Sequence, residues 1–174
     1  METSDNSGIV IFGSSRSTGN TYDVSKQIAE NSKFDLADLR KLKISAYDYE
    51  HANLNDDFIP LAEKMIQAKI VVLISPVYWY SMSAQMKTFL DRWSDLVTIR
   101  KDLGRKLKGT KLIVVSCSND NDLGDGFSLP FSQTAKYMGM EFEGYFHVWK
   151  ENGMKFKPEV LKVFDDITQK ILNI

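Results

Sequence analysis

The chain has 174 residues, the size of one ordinary domain, and this is enough to bury a hydrophobic core. Of these residues 43% are hydrophobic and 26% are charged, and the formal net charge is -1. Such a balance gives no electrostatic reason to expect nucleic acid as a partner, because a phosphate backbone calls for a basic surface.

The cysteine count, the N-terminal stretch and the apolar runs exclude further kinds of protein. Cys117 is the single cysteine, so neither an internal disulfide nor a thiolate-held metal cluster can form, and we expect no metal. The polar N-terminal stretch METSDNS is unlike a secretory signal, and the longest aliphatic runs are too short to span a bilayer. We therefore expect a cytoplasmic protein without membrane contact, folded as one domain over residues 1–174.

Short aliphatic runs alternate with helical patterns along the chain. The predicted strands are Gly8–Phe12, Phe34–Leu39, Lys69–Ser75, Thr110–Ser116 and Glu141–Trp149. The predicted helices are Thr21–Ser32, Asp57–Ala68, one from Ser83 through Val97, Leu129–Met138 and a last one opened by Pro158, with residues 40–55 as a loop. This alternation predicts an α/β fold, a parallel sheet with helices on both faces. Because ligand sites in such sheets lie beyond the carboxyl ends of the strands, we expect the chemistry just after strands one, three and four.

Two local predictions concern where helices begin. Asp57 is a plausible N-cap, since Pro60 then falls in the first turn, where its missing N–H costs nothing. Ser83 is the predicted cap of the next helix, whose apolar stripe includes Met86, Phe89 and Trp93.

The loop after strand one reads GSSRSTGNT from Gly13 to Thr21. Small residues let the backbone turn tightly and aim several N–H groups at one point, where the following helix adds the positive end of its dipole. A Walker A loop is excluded, because five residues separate the glycines and Asn20 replaces the lysine. The GxGxxG fingerprint is also absent, so the loop is either a cradle for a terminal phosphate or a polar turn without a ligand.

Strand three runs out into a loop with three consecutive aromatic residues, Tyr78, Trp79 and Tyr80, after Pro76. Exposed aromatic residues in a row are costly unless something covers them. The cover is either a flat ligand, or a neighbouring helix, or a second copy of the chain.

Together these two segments resemble the NAD(P)H-dependent FMN reductase family of flavodoxin-like proteins. The family's phosphate loop, Gly-Ser-x-Arg-x-x-Gly-Asn-Thr, is matched by Gly13 to Thr21. Its second segment, Pro-x-Tyr followed by Ser-Ala/Gly-x-x-Lys-x-Phe-x-Asp-Arg, is matched between Pro76 and Arg92. The similarity covers roughly residues 8 to 120.

The resemblance implies a flavodoxin-like three-layer fold with sheet order 2-1-3-4-5, an FMN cofactor, NADPH or NADH as electron donor, and a homodimer. It implies that the FMN phosphate is held by Ser14, Arg16, Gly19, Asn20 and Thr21. The isoalloxazine ring would lie along Pro76, Val77, Tyr78, Trp79 and Tyr80, with its other edge near Ser116, Cys117, Ser118, Asn119 and Gly124. The helix beginning near Ser83 would contribute to the dimer interface, which would cover Trp93; the alternative for Trp93 is ordinary core.

One branch of the family carries an iron–sulfur cluster, and this chain departs from it. The stretch before Asp56 and Asp57 contains no cysteine, so the chain resembles the branch without the cluster. Hydride transfer to a flavin needs stacking and orientation more than a protein acid or base, so no catalytic side chain is assigned. His51 is expected to be solvated, His147 to be packed and hydrogen-bonded, and Cys117 to be a small buried hydrophobe.

The predicted function is an FMN-dependent NAD(P)H oxidoreductase that passes electrons to a small acceptor such as a quinone, a nitro- or azo-aromatic compound or free flavin. The first alternative is a flavodoxin-type FMN carrier that is reduced by a protein partner. The second is a relative of the same fold that has lost flavin and serves as a binding protein.

Overall fold

The computed structural model describes residues 8–123, 126–151 and 154–174. Its strands are β1 (Gly8–Phe12), β2 (Asp35–Asp38), β3 (Ile70–Pro76), β4 (Lys111–Ser118) and β5 (Glu141–Trp149). All neighbouring strands pair in parallel, and the sheet order is β2-β1-β3-β4-β5. This order confirms the predicted flavodoxin-like fold. The point where the order reverses lies between β1 and β3, where ligand sites in open α/β sheets form.

Seven helices flank the described sheet: α1 (Asn20–Ser32), α2 (Phe58–Met65), α3 (Ala84–Asp91), α4 (Trp93–Val97), α5 (Lys101–Gly104), α6 (Leu129–Met138) and α7 (Pro158–Leu172). Short 3₁₀ turns occupy Leu39–Lys41 and Arg105–Leu107. Within the described residues, none of these helices combines the length and apolar character that crossing a bilayer requires.

Two hydrophobic cores form because successive strand side chains point to opposite faces of the sheet. One core joins Val10, Val72 and neighbouring strand residues to α1 and α7. The other joins Ile11, Leu73 and their neighbours to α2, α3, α4 and α6. Every residue of β1 and β3 is buried, which explains why these two strands are continuous apolar runs rather than alternating patterns.

Several predicted element bounds are corrected by the structure. β4 continues to Ser118, two residues beyond the predicted end, because it pairs with β3 up to Cys117 and with β5 up to Ser118. The helix predicted from Ser83 through Val97 is divided at Arg92 into α3 and α4. The apolar residues Met86, Phe89 and Trp93 of the predicted stripe still pack into one core.

The two predicted N-caps differ in outcome. The Ser83 side chain accepts a hydrogen bond from the Met86 N–H at 3.1 Å, which confirms the cap. Asp57 is the N-cap residue of α2, as predicted, but its carboxylate accepts from the Lys43 N–H at 2.7 Å and not from an N–H of the helix. The neighbouring Asp56 carboxylate accepts from the Phe58 N–H at 3.0 Å.

Trp93 lies in the intramolecular core, 3% exposed, with its ring edge-on to Phe89 at a centroid distance of 5.9 Å. Of the two explanations for its burial, ordinary core therefore applies. His51 was wrongly expected to be solvated. Its Nδ1 lies 3.0 Å from the fully buried carboxylate of Asp95, which anchors residues near 50 to α4.

Candidate active site at the carboxyl edge of the sheet

The loop after β1 is held tightly against the start of α3. The Gly13 N–H donates to the Ile74 carbonyl at 3.0 Å, and the Ser83 hydroxyl donates to the Gly13 carbonyl at 2.7 Å. A Cβ on Gly13 would lie 2.8 Å from the backbone nitrogen of Met86. Glycine is therefore required here, because the two backbones approach more closely than any side chain allows.

The second half of this loop wraps around an arginine. Gly19 has a φ of 93°, and a Cβ at this position would lie 2.7 to 2.8 Å from the Arg16 guanidinium atoms. The side chains of Ser14 and Thr21 are buried at 4% and 7% exposure, although both border a cavity. α1 begins at Asn20 and points its amino end at the same place. Hydroxyls, a guanidinium and a helix N-terminus converge here, an arrangement that suits an anion.

The segment after β3 forms a two-residue hairpin. Tyr78 and Ser81 exchange both backbone hydrogen bonds, at 2.9 and 3.1 Å. Trp79 and Tyr80 occupy its two central positions with φ of 49° and 63°. Both values are left-handed, as in a type I′ turn, where asparagine and glycine are the favoured residues. Two aromatic residues are thus held in a costly conformation, with Trp79 94% exposed and Tyr80 69% exposed.

Tyr78 closes the space between this hairpin and the first loop. Its hydroxyl lies 2.7 Å from the Ser15 hydroxyl. Burial raises the pKa of Tyr78, but hydrogen bonds with Ser15 and Ser14 outweigh burial and hold the pKa below its ordinary value.

A cavity of about 170 Å³ lies between these segments and the end of β4. Its described lining consists of Ser14, Arg16, Thr18, Asn20, Thr21, Pro76, Val77, Tyr78, Cys117, Ser118 and Asn119. Typical pockets for cofactors and drug-sized ligands measure about 300–1,000 Å³, so this cavity takes a phosphate and part of a chain but not a whole flavin. Trp79 and Tyr80 are not among the described lining residues, so a longer ligand would contact them only where it extends out of the cavity past Tyr78.

A larger hollow of about 720 Å³ lies along the edge strand β2, lined by Leu36, Asp38, Lys41 and Lys64 among others. It reaches Ile9 and Phe12 of β1, but none of its described lining residues comes from β3 or β4. The smaller cavity is the better candidate, because it lies beyond the carboxyl ends of β1, β3 and β4, where the sequence predicts the chemistry.

The predicted third segment is strand rather than loop up to Ser118. Cys117, Ser118 and Asn119 border the cavity. Ser116 is fully buried within the sheet, and its hydroxyl contacts Tyr145 and His147 instead. Gly124 lies outside the described residues.

Cys117 is a buried thiol at the floor of this cavity, 2% exposed, as predicted. Burial raises the pKa of Cys117 to about 12. A thiol with such a pKa is almost never a thiolate at neutral pH, which makes it a poor redox sensor.

Sequence analysis missed Lys150, the residue after β5, which contacts the lining of the cavity. The Asn20 side chain donates to the Lys150 carbonyl and to the Asn119 side chain, the latter at 3.3 Å. The Lys150 ammonium reaches the Asp23 carboxylate at 2.6 Å. These contacts join residues 99 to 130 positions apart, and no pattern in the sequence signals them.

A second missed residue is Arg40, which follows β2. Its guanidinium donates to the Ser15 carbonyl and so braces the first loop from outside the cavity. Arg16 and Arg40 thus place two positive charges on the loop, which favours an anionic ligand there.

Known proteins resemble this chain in sequence. The sequence model of the NADPH-dependent FMN reductase family matches residues 8–142. A Bacillus subtilis protein described as a putative NAD(P)H-dependent FMN-containing oxidoreductase, YwqN, is 30% identical over 146 residues, which are 78% of this chain and 81% of that protein.

Two solved structures share the fold. The Trp repressor binding protein of Bacillus subtilis has a TM-score of 0.70 at 22% identity and covers 94% of this chain and 96% of its own. An NADPH-quinone reductase of P. pentosaceus has a TM-score of 0.67 at 17% identity and covers 96% and 98%. Since the family's sequence model spans most of the described chain, from β1 into β5, the protein belongs to the NADPH-dependent FMN reductase family and is an FMN-dependent NAD(P)H oxidoreductase.

Proposed function

We propose that this enzyme passes electrons from NAD(P)H to a planar aromatic acceptor, such as a quinone, a nitro- or azo-aromatic compound or free flavin. The observation that carries the proposal is the hairpin at Trp79 and Tyr80. It keeps two aromatic side chains exposed beside the cavity in a backbone conformation that such residues rarely adopt. Flat ligands are recognised by stacking on aromatic faces of this kind.

The phosphate of FMN is assigned to the first loop. Ser14 and Thr21 offer hydroxyl donors, Arg16 offers charge, and Gly19 and Asn20 open α1. The rest of FMN would extend between Pro76–Tyr80 on one side and Cys117–Asn119 on the other. When bound, FMN supplies the hydride chemistry. The described residues of this site supply binding and orientation, and they exclude water from the buried end of the cavity.

An anaerobic absorbance experiment tests the reductase assignment. The FMN-loaded protein is mixed with NADPH and, separately, with NADH, and the yellow flavin band is followed. Prompt bleaching by either nicotinamide supports the proposal and identifies the donor. A bound flavin that stays yellow with both would favour the carrier alternative. Failure of FMN to raise thermal stability would favour the binding protein, because FMN at a hundred times its Kd should add about 2.7 kcal/mol.

The acceptor assignment is tested with Trp79→Ser. Tyr137→Ser on α6 is the matched control, since Tyr137 is also a strongly exposed aromatic residue (77%) and lies outside the cavity lining. We expect kcat/KM for a quinone to fall about 3- to 10-fold in Trp79→Ser, the value of one aromatic stacking contact. The control should keep the wild-type value. Equal values for all three proteins would refute the role of the hairpin.

We further propose that the protein is a cytoplasmic homodimer folded as one domain. A groove of about 310 Å³ between the segment after β2 and α3, lined by Leu39, Leu42, Ile44, Ala84 and Thr88 among others, offers a partly apolar face for a second copy. Sedimentation at micromolar concentration should give twice the mass of 19.9 kDa, and a monomer would refute the dimer. Cell fractionation tests the proposed location, and recovery of the protein outside the cytoplasmic fraction would refute it. A single cooperative unfolding transition supports one domain.

A further inference from the structure

A chain of hydrogen bonds crosses from β5 to the end of β4 directly behind the cavity wall. Fully buried Ser116 stands at its centre. Its hydroxyl oxygen lies 2.6 Å from the Tyr145 hydroxyl and 2.7 Å from His147 Nδ1. On the other side of the imidazole, Nε2 lies 3.1 Å from the Asp120 carbonyl and 3.2 Å from the Ser118 hydroxyl. Trp149 stacks on the ring with 18° between the planes.

The neighbours of His147 fix which nitrogen carries the proton. A carbonyl oxygen only accepts, so Nε2 must be the donor towards Asp120. The Ser118 hydroxyl already donates to the same carbonyl, so towards His147 it can only accept. With Nε2–H donating, the Nδ1 of a neutral ring accepts from Ser116, and Ser116 accepts from Tyr145. Burial lowers the pKa of His147, which favours this neutral form.

The chain of donors ends at residues that line the cavity. Ser118 and Asn119 form one of its walls. Lys150, which follows β5, holds the same wall, since its N–H donates to the Ser118 carbonyl at 3.0 Å. Removing the imidazole would leave Ser116 without its acceptor and would remove the donor that restrains Ser118 and Asp120.

We propose that His147 is a positioning residue for the cofactor: as the neutral Nε2–H tautomer, it holds the Ser118–Asp120 segment in the place that FMN binding requires. The inference rests on the cavity being the cofactor site. It assigns a role to a strand residue that lies outside the loops in which the cofactor contacts were predicted.

Protonation of His147 reverses the chain. Nδ1 then becomes a donor, Ser116 must turn its hydrogen towards Tyr145, and the Tyr145 hydroxyl must find another acceptor. Among the described residues, the charged group that acts on the imidazole is Asp120. The other groups that face the imidazole from β4 and β5 are uncharged: Ser116, Ser118, Tyr145 and Trp149. The Nε2–H donor to Asp120 is present in both forms, so acidification should weaken FMN binding less than removal of the imidazole does.

The first test is nuclear magnetic resonance of the FMN-bound protein labelled with ¹⁵N at histidine. The chain has two histidines, so His51→Gln assigns both rings. We expect His147 to be the neutral Nε2–H tautomer at neutral pH. An Nδ1–H tautomer or an imidazolium would overturn the proposal.

The second test measures the Kd of FMN by flavin fluorescence as a function of pH. His147→Phe keeps an aromatic ring for Trp149 and removes both nitrogens, whereas His147→Gln keeps a donor. We expect His147→Phe to raise the Kd about 5- to 10-fold near neutral pH, the value of one lost hydrogen bond. Partial rescue by His147→Gln is expected, and His51→Gln should behave as wild type.

Asn20→Ala separates failure of the inference from failure of the site. If Asn20→Ala raises the Kd and His147→Phe does not, the role of His147 is refuted, whereas the assignment of the cavity as the FMN site is supported. If Asn20→Ala also leaves the Kd unchanged, the cofactor lies elsewhere and both assignments fall. Circular dichroism of each variant confirms that it is folded.

Discussion

Arg92 is a fully buried arginine, and replacing it with methionine should be among the most damaging single changes in this protein. Its Nε donates to the Asp95 carboxylate at 2.8 Å, and its Nη1 donates to Asp56 and to the Ser45 carbonyl. The guanidinium also lies 4.7 Å above the centre of the Phe58 ring. One side chain thereby joins α4 to the segment before α2.

The expected loss follows from what the substitution leaves behind. The side chains of Asp95 and Asp56 are 0% and 9% exposed, so both carboxylates would remain out of water without their cation. Removing one partner from a buried ion pair typically costs about 3–5 kcal/mol. Because a domain of this kind unfolds with about 5–15 kcal/mol, the loss is a large share of the total. Methionine keeps most of the stem volume, so the loss reports on charge more than on packing.

Urea unfolding of the flavin-free protein, followed by circular dichroism, measures this loss. Arg100→Met is the matched control, because Arg100 pairs with Asp102 at 3.1 Å while its side chain is 32% exposed. An exposed pair of this kind contributes at most about 1 kcal/mol. The triple variant Arg92→Met, Asp56→Asn, Asp95→Asn should recover much of the stability, since no unpaired charge remains. A loss below about 1 kcal/mol for Arg92→Met would refute the reasoning.

The same ion pairs predict a dependence on pH. Burial raises the pKa of Asp56, but hydrogen bonds from Arg92, Ser45 and Phe58 outweigh burial and hold the pKa below its ordinary value of 3.8. A depressed pKa adds stability that is present above the unfolded value and is lost as the pH falls through the folded value. The wild type should therefore lose this contribution below about pH 4. Arg92→Met should lack that acid-sensitive contribution, so the difference between the two proteins should shrink there.

Three further changes test the hairpin, the thiol and the histidine. Replacing Trp79–Tyr80 with Asn-Gly should raise the free energy of unfolding by about 1–2 kcal/mol, because the left-handed strain is relieved. The same change should lower quinone reduction, because both aromatic rings are removed. An unchanged free energy of unfolding in urea would show that the turn is unstrained. Cys117, with its pKa of about 12, should resist iodoacetamide in the folded protein and react in urea, and rapid alkylation of the native protein would contradict its burial. Burial holds the pKa of His147 in the folded protein below the unfolded value of 6.5. Its contribution to stability is therefore present above pH 6.5 and is lost as the pH falls through the folded pKa. His147→Phe should flatten the dependence of the free energy of unfolding on pH in this range, and an unchanged dependence would contradict the prediction.

The strands followed from local patterns in the sequence, whereas their order followed from the resemblance to the family. The run IVVLI in β3 is apolar at every position, because a central strand of a parallel sheet is covered on both faces. Ser83 capped α3 as predicted, since a cap needs only a side-chain oxygen three residues before the N–H that it accepts. Interactions of such short range are encoded within a few neighbouring residues.

The sequence did not predict contacts with partners distant in the chain. Asp57 is the N-cap residue of α2, but its carboxylate accepts from the Lys43 N–H, which an irregular loop brings close to it. His51 was expected in water, but it lies on Asp95, 44 residues away. Lys43 and His51 both lie in the segment over residues 40–55, whose sequence has no hydrophobic period from which its path could be predicted.

Hydrophobic period and local motifs were sufficient to predict the fold, the family and the two loops that border the candidate site. Tertiary structure alone decided that Trp79 and Tyr80 stand exposed in a left-handed hairpin, that Asn20 meets Lys150, and that His147 stands behind the cavity wall. The physical reason is that strand register brings together side chains whose separation in the chain carries no information about their distance in space.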